Sequence, residues 1–328
     1  MLCLGIESTA HTFSCAIVER GRRSRILHDE RRVYAPPEGQ GIHPREASRH
    51  HAAEAASCLA ACLEGAGARA SEVDAMAYAA GPGLGPCLRV GAVVARALAS
   101  YHGVPLYPVH HAIGHIELGK MLTKTRDPLV LLVSGGHTML LAFSAGRWRV
   151  FGETLDITLG QLFDQFGRSL GLASPCGRQV EAMAARGGEY IALPYTVKGN
   201  DVSLSGLCSA AMQAVASGAS RESASHSLQE TAFAMVCEAT ERALALTRRR
   251  ELLVVGGVAA NSRLSSMLRR MSRRHSCRLA AAPVKYAGDC GAQIAWAGAL
   301  EASVSGPVKP EEATVRQSWR LDEVDIAY

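Results

Sequence analysis

Four apolar runs, each cut short by a turn of small residues, constrain this chain more than anything else in it. Leu2 to Ile6 meets the turn Glu7-Ser8-Thr9-Ala10-His11-Thr12, and the apolar pattern resumes over Phe13 to Val18, which predicts a hairpin. Val73 to Ala80 runs into Gly81-Pro82-Gly83-Leu84-Gly85-Pro86 and a helix over Leu88 to Ser100. Leu129 to Val133 runs into Ser134-Gly135-Gly136-His137-Thr138 and continues as Met139 to Phe143, so the hairpin design recurs about 125 residues later. Leu252 to Val255 leads into Gly256-Gly257-Val258-Ala259-Ala260-Asn261 and another helix. Strands that alternate with helices pack as layered α/β sheets, and two similar halves predict a duplicated architecture with a ligand between them.

The intervening segments fill in that frame. Residues 21–44 are polar and read as loop, and a helix is expected from Pro44 to Leu63, ended by Gly65, with His50 and His51 as solvated or capping residues. Between the third and fourth runs lie two polar stretches, Leu155 to Asp164 and Pro175 to Glu181, the second a turn entering a helix. One long helix is expected from Ser225 to Arg248, because Leu228, Ala232, Met235, Val236, Ala239, Ala243 and Leu246 form a single stripe. A chain of 328 residues is long enough for two domains.

Composition narrows the function classes. Hydrophobic residues at 48% and charged residues at 20% are those of a globular protein, and aromatics at 5% exclude a platform for stacking successive bases. A net charge of +5 permits a nucleic-acid partner without requiring one. The ten cysteines contain no CxxC pair and sit mainly in apolar runs, so they read as reduced small hydrophobes. With neither a basic leader at the N-terminus nor an apolar window of roughly 18 residues, the expected location is cytoplasmic with no membrane partner.

The stretch from Pro108 to Glu117 holds His111 and His115 four residues apart, which on a helix places both imidazoles on one face where they can aim at one ion. Packing or capping histidines would have the same spacing. A metalloprotease motif needs glutamate directly after the first histidine, and that position is Ala112. A small-molecule kinase would use the phosphate-type turns and leave the histidine pair without a task, while a noncatalytic scaffold would need neither.

Taken together, these segments resemble the threonylcarbamoyl transferase family that modifies tRNA, in its archaeal and eukaryotic cytoplasmic branch, the catalytic subunit of the KEOPS complex. The resemblance runs through Gly5-Ile6-Glu7, Gly41 to Ala47, Gly81 to Gly91, the histidine pair, Val133 to Thr138, Leu155 to Asp164, Gln229 to Met235, Gly256 to Leu264 and Trp319 to Asp325. It implies an actin-like, Hsp70-like (ASKHA) α/β fold of two duplicated lobes around a nucleotide cleft. The lobes are expected at 1–125, completed by 300–328, and at 126–299 with a helical insertion.

The resemblance further implies transfer of a threonylcarbamoyl group from threonylcarbamoyl-AMP to the N6 amine of the tRNA adenosine 3′ of the anticodon, with release of AMP. It places metal ligands on His111, His115 and Asp289, and contacts to the adenylate nucleotide on Leu132, Val133, Ser134, Gly135, Gly136, Asp164, Gly177, Glu181 and Asn261. Iron(II) is the implied ion, although imidazole and carboxylate ligands also accept zinc or manganese. The implied partners are tRNA and KEOPS-type subunits, including a small kinase/ATPase. Leu132, Cys176, Cys208 and Cys290 depart from the usual pattern of the branch, and the three thiols are expected to make the pocket oxidation-sensitive. Arginines crowd Arg269 to Arg278, the best local candidates for contact with RNA phosphates.

Overall fold

Two five-stranded sheets of identical topology carry the chain. In the computed structural model, which describes residues 1–328, the first half contains β1 (Leu2–Glu7), β2 (Thr12–Glu19), β3 (Arg25–Val33), α1 (Pro44–Ala66), β4 (Ala75–Gly81), α2 (Gly85–His102), β5 (Leu106–His110) and α3 (His111–Thr123). Next come β6 (Leu129–Val133), β7 (Thr138–Ser144), β8 (Arg147–Glu153), α4 (Leu159–Ser169), α5 (Gly177–Ala185), β9 (Val197–Lys198), β10 (Asp201–Val202), α6 (Ser205–Ala216) and α7 (Arg221–Thr247). The last elements are β11 (Glu251–Val255), α8 (Ser262–Arg274), β12 (Arg278–Ala281), α9 (Val284–Ala287) and α10 (Gly291–Glu301).

The first sheet has the order β3-β2-β1-β4-β5 and the second, read in the same sense, β8-β7-β6-β11-β12. In each, an antiparallel meander is followed by two parallel strands reached through helical crossovers. The duplication expected from the strand-turn pattern is therefore present down to strand order. The carboxyl ends of β1, β5, β6 and β11 deliver Glu7, His110, Ser134 and Gly256, the side on which α/β sheets bind ligands.

Three expectations are corrected. Residues 25–33 form β3 rather than loop; its alternating polar residues kept it from reading as a strand, but it pairs with β2 along its whole length. The segment between β8 and β11 holds four helices, the expected α5 and α7 together with α4 and α6, which are short pieces that cover a shared core with α7. His51 is wholly buried instead of solvated, its Nε2 donating to the Ala10 carbonyl at 3.0 Å beneath the β1–β2 turn.

Two helices join the halves. Helix α3 leaves β5 of the first sheet yet packs Ala112, Ile113 and Ile116 onto Val130, Leu132, Leu253 and Val255 of the second. Helix α10 lies against β1, β2 and β4, although the expected boundary at 299 puts most of it with the second lobe. Its small residues are the reason: a Cβ on Gly5 would stand 2.1 Å from the Ala295 nitrogen, so strand and helix touch backbone to backbone. Beyond α10 the chain straps both lobes. It pairs Val308 with Leu106, donates from Arg316 N to the Ala80 carbonyl at 2.6 Å, then links Asp325 to Arg147 and Ile326 N to the Gly146 carbonyl. No helix is long and apolar enough to cross a membrane.

Replacing Gly5 by Ala is expected to destabilise the protein by about 3 kcal/mol, the upper end for overpacking, since backbone atoms on both sides must give way. Urea unfolding of the two proteins measures it, and a midpoint unchanged within error would mean that α10 can slide off β1 without loss.

Candidate metal centre and cleft

Helix α3 begins at His111 because the imidazole of His110 stands at its N-cap, accepting from Ala112 N at 3.2 Å, while His110 Nε2 donates to the Trp319 carbonyl at 3.2 Å. The C-terminal strap thus grips the residue next to the first histidine of the pair. One turn on comes His115, and the two rings lie 4.7 Å apart, nearly perpendicular. Asp289 reaches them from the turn between α9 and α10. Its Oδ1 lies 3.2 Å from His115 Nε2 and 3.6 Å from His111 Nε2, and the ligand atoms of all three residues fall within 4.8 Å of one another.

A cap on α10 would have been the other use for Asp289. That helix has Cys290 at its N-cap with no side-chain bond there; Ser14 Oγ accepts from Gly291 N at 2.8 Å and Asp29 Oδ1 from Ala292 N at 3.1 Å. The capping is done from β2 and β3, so Asp289 is left for the histidines.

Behind the pair lies a layer that the sequence reading did not assign. Glu7, wholly buried at the end of β1, has Oε2 2.8 Å from His111 Nδ1, and its Oε1 accepts from Thr9 N at 2.6 Å. Gln293 Nε2 stands 3.2 Å from the same Glu7 Oε2 and 3.1 Å from His111 Nδ1, with Thr9 Oγ1 at 3.2 Å. The available signals were the Glu7 position at a strand end and the four-residue step from Asp289 to Gln293.

Charge explains the titration pattern. Burial works against a cationic His111, but the Glu7 and Asp289 carboxylates outweigh it and raise its pKa to about 9. Burial likewise disfavours the Asp289 anion, yet His111 and His115 hold it well below the usual carboxylate range. His115 is lowered by burial and by the neighbouring His111 cation. His137, whose ring lies nearly parallel to that of His111 at 6.4 Å, is pushed down to about 4 by burial and by both histidines. Two imidazole Nε2 atoms converging on one carboxylate oxygen, with the far nitrogen of His111 tied to a carboxylate, is a donor set that fits a divalent metal ion.

His137 ends the turn after β6. Within that turn Ser134 Oγ accepts from Gly136 N at 3.2 Å and His137 N at 3.0 Å, and Ser134 N donates to the His137 carbonyl at 2.8 Å. A Cβ on Gly135 or Gly136 would meet nothing within 4 Å, so both face open space. Both side chains of Leu132 and Val133 are wholly buried in apolar clusters, which leaves only their main chain for a ligand.

The remaining cleft residues brace one another. Asp164 Oδ1 accepts from Ser174 Oγ at 2.7 Å and Cys176 N at 3.0 Å, fixing the entry to α5, where Gly177 faces open space. Glu181 Oε1 accepts from Ser262 N and Oγ at 2.8 and 2.6 Å, with Oε2 unpartnered. Asn261 caps α8 through Oδ1 and donates to Gln229 from Nδ2 at 3.0 Å. The thiols do not bear out an oxidation-sensitive pocket. Cys176, Cys208 and Cys290 are buried, and burial pushes the first two to about 12 and about 11 and the third higher, so little reactive thiolate forms.

Fold and site together define a two-lobed α/β protein of the actin/Hsp70 fold class that carries a His/His/Asp cluster able to hold a metal ion. The family model for TsaD, tRNA N6-adenosine threonylcarbamoyltransferase, matches residues 24–296. The tRNA N6-adenosine threonylcarbamoyltransferase of Caldivirga maquilingensis is 48% identical over 328 residues, covering 100% of this chain and 98% of its own. A probable bifunctional tRNA threonylcarbamoyladenosine biosynthesis protein of Methanothermobacter thermautotrophicus is 47% identical, with 100% of this chain aligned to 61% of that longer one. Among solved structures, T. kodakarensis HypF superposes with a TM-score of 0.63 at 12% identity over 91% of this chain and 47% of its own, a likeness of fold. The chain belongs to the tRNA N6-adenosine threonylcarbamoyltransferase family and is an enzyme of the transferase class.

Because a metal ligand must be deprotonated, metal and proton compete for His111. With its metal-free pKa near 9, affinity for a divalent ion is expected to rise roughly tenfold per pH unit from 6.5 up to about 9 and then level, with about one proton released per ion bound within that range. Calorimetric titration in buffers of different ionisation enthalpy reads both quantities. A flat profile across that window would show that the metal displaces no proton from His111.

Proposed function

We propose that this chain transfers the threonylcarbamoyl group of threonylcarbamoyl-AMP to the N6 amine of the tRNA adenosine 3′ of the anticodon. The observation that carries the reading is the convergence of His111, His115 and Asp289 within 4.8 Å, with His111 beside the turn that ends at His137. In the reaction the N6 nitrogen forms a bond to the carbamoyl carbon, the bond from that carbon to the phosphate oxygen breaks, AMP leaves, and one proton is lost from the amine. An adenine amine is a poor nucleophile because its lone pair is delocalised into the ring, so activation falls on the acyl group. A divalent ion held by the triad, assigned as iron(II) on the family resemblance with zinc and manganese compatible by ligand type, supplies Lewis acidity toward phosphate and carbonyl oxygens.

The rest is the work of the chain. The main-chain N–H of Gly135 approaches the acyl-adenylate oxygens, where no Cβ intervenes, while that of Gly136 is held by Ser134 Oγ. Leu132 and Val133 contribute main chain only. Gly177 gives the same close approach at the start of α5, and the free Oε2 of Glu181 accepts a hydroxyl or amino hydrogen of the substrate. Asp164 and Asn261 hold the walls through the bonds described above. The lobes we propose are 1–125 with α10, and 126–290, with the segment beyond α10 strapping both.

Substituting His111 by Ala is expected to abolish single-turnover transfer of labelled threonylcarbamoyl-adenylate to unmodified tRNA, with far-UV circular dichroism unchanged. Transfer at the wild-type rate would remove the triad from the reaction.

Arg269, Arg270, Arg273 and Arg274 are exposed on α8, and none of them forms an ion pair, whereas Arg278 is paired with Glu251. We assign them to tRNA phosphates. The net charge of +5 leaves much of the grip to KEOPS-type partner subunits in the cytoplasm, including a small kinase/ATPase, as the family resemblance implies. Replacing Arg270, Arg273 and Arg274 by Ala is expected to flatten the dependence of log K on log salt by roughly 2 units, about 0.7 per phosphate contact, with AMP affinity unchanged. An unaltered slope would place the RNA elsewhere.

A further inference from the structure

The group behind the triad has a geometry that decides which nitrogen of His111 is free. His111 Nδ1 faces Glu7 Oε2, Gln293 Nε2 and Thr9 Oγ1 at 2.8, 3.1 and 3.2 Å. If Nδ1 carried a lone pair, that lone pair would lie against a wholly buried carboxylate oxygen, a repulsion that bulk solvent does not reach to screen. If Nδ1 carries the proton, it donates to Glu7 Oε2. The amide of Gln293 then cannot also donate to Nδ1, and its hydrogen goes to the same Glu7 oxygen at 3.2 Å. The second arrangement pairs His111 Nδ1, Glu7 and Gln293. In the neutral imidazole that a metal ion requires, it leaves Nε2 of His111 bare on the side where Asp289 and His115 stand.

The orientation of Glu7 is itself determined. Its other oxygen accepts from Thr9 N at 2.6 Å, which seats the carboxylate across the start of the β1–β2 turn. Gln293, also wholly buried, comes from the first turn of α10, four residues after Asp289. One helix start therefore supplies both a ligand of the triad and the amide that holds the opposite side of the partner imidazole.

We infer that Glu7 and Gln293 are positioning residues for the metal centre: Glu7 fixes the Nδ1–H tautomer and ring angle of His111, and Gln293 holds Glu7 in place. Neither touches the substrate or the ion. The inference rests on reading His111, His115 and Asp289 as the metal site. Carboxylates that receive the second N–H of a ligating histidine are worth 10- to 100-fold in metal affinity, so the effect is measurable without the reaction.

The test is metal binding by the full chain, stripped of metal and titrated with zinc against a chromophoric chelator at fixed pH, for wild type, Glu7→Gln, Gln293→Met and His111→Ala. Thermal melting of each metal-free protein is measured in parallel. The expected result is a dissociation constant raised 10- to 100-fold in Glu7→Gln and about 3- to 10-fold in Gln293→Met, with metal-free melting temperatures of both near wild type. In the zinc-loaded protein labelled with 15N-histidine, a strongly downfield Nδ1 proton on His111 should be present in wild type and shifted upfield in Glu7→Gln. Wild-type zinc affinity in Glu7→Gln, or no Nδ1 proton on His111 in the wild-type complex, would overturn the inference. So would a loss of affinity matched by a comparable loss of metal-free stability in both variants, because that is what a merely structural role produces. His111→Ala separates the two readings: if it binds zinc as wild type does, the metal site itself is wrong, whereas its failure beside a normal Glu7→Gln condemns the positioning role alone.

Discussion

A carboxylate without any solvent exposure sits at the junction of β1, α3 and α10, and the site is built around satisfying it. Burying the Glu7 side chain is tolerable only if it is surrounded by donors, and the three it has come from the β1–β2 turn, from His111 and from Gln293. Each donor belongs to a different element, so the carboxylate ties together a sheet of one lobe, the helix that bridges to the other lobe, and the helix whose approach carries Asp289. The close contact of Gly5 with Ala295 two residues earlier in β1 sets the distance at which this can happen.

The division of labour at the start of α10 follows from the same packing. Helix N-termini present unpaired N–H groups, and here Ser14 and Asp29 accept from them across the lobe. Asp289 is thereby released from a capping role and turned toward the histidine pair, where two imidazoles stabilise its charge. The C-terminal strap adds a further tie through the Trp319 carbonyl on His110, immediately ahead of the first ligand. The geometry of the His/His/Asp cluster and the arrangement of the lobes are in this way mechanically connected.

The cleft side of the second lobe is organised differently. Its glycine turn leaves the Gly135 N–H without a partner, while the polar side chains around it are mostly engaged: Asp164 with the start of α5, Glu181 with the start of α8, and Asn261 with α7 through Gln229. These bonds hold the segments around the turn at fixed positions, and among the three Glu181 alone keeps a carboxylate oxygen free. The cysteines near these segments fill space as small apolar groups.

The strand-turn alternation was enough to determine two similar α/β halves, because short apolar runs ended by glycine or hydroxyl turns are local patterns that read the same in any context. The pairing of His111 with His115 was legible for the same reason, since a spacing of four on a helix is a local fact. Strand β3 was not, because its polar outer face offers no apolar run, and neither was the burial of His51, which depends on what lies above it. Asp289, Glu7 and Gln293 lie 174, 104 and 182 residues from their partners on α3, and no periodicity connects them. The chain thus specified by itself its repeated halves and the histidine half of the site. Asp289 was named by the resemblance to the family and not by any spacing, and only the tertiary structure, through the backbone contact of β1 with α10, brought it to the histidine pair and stood Glu7 behind them.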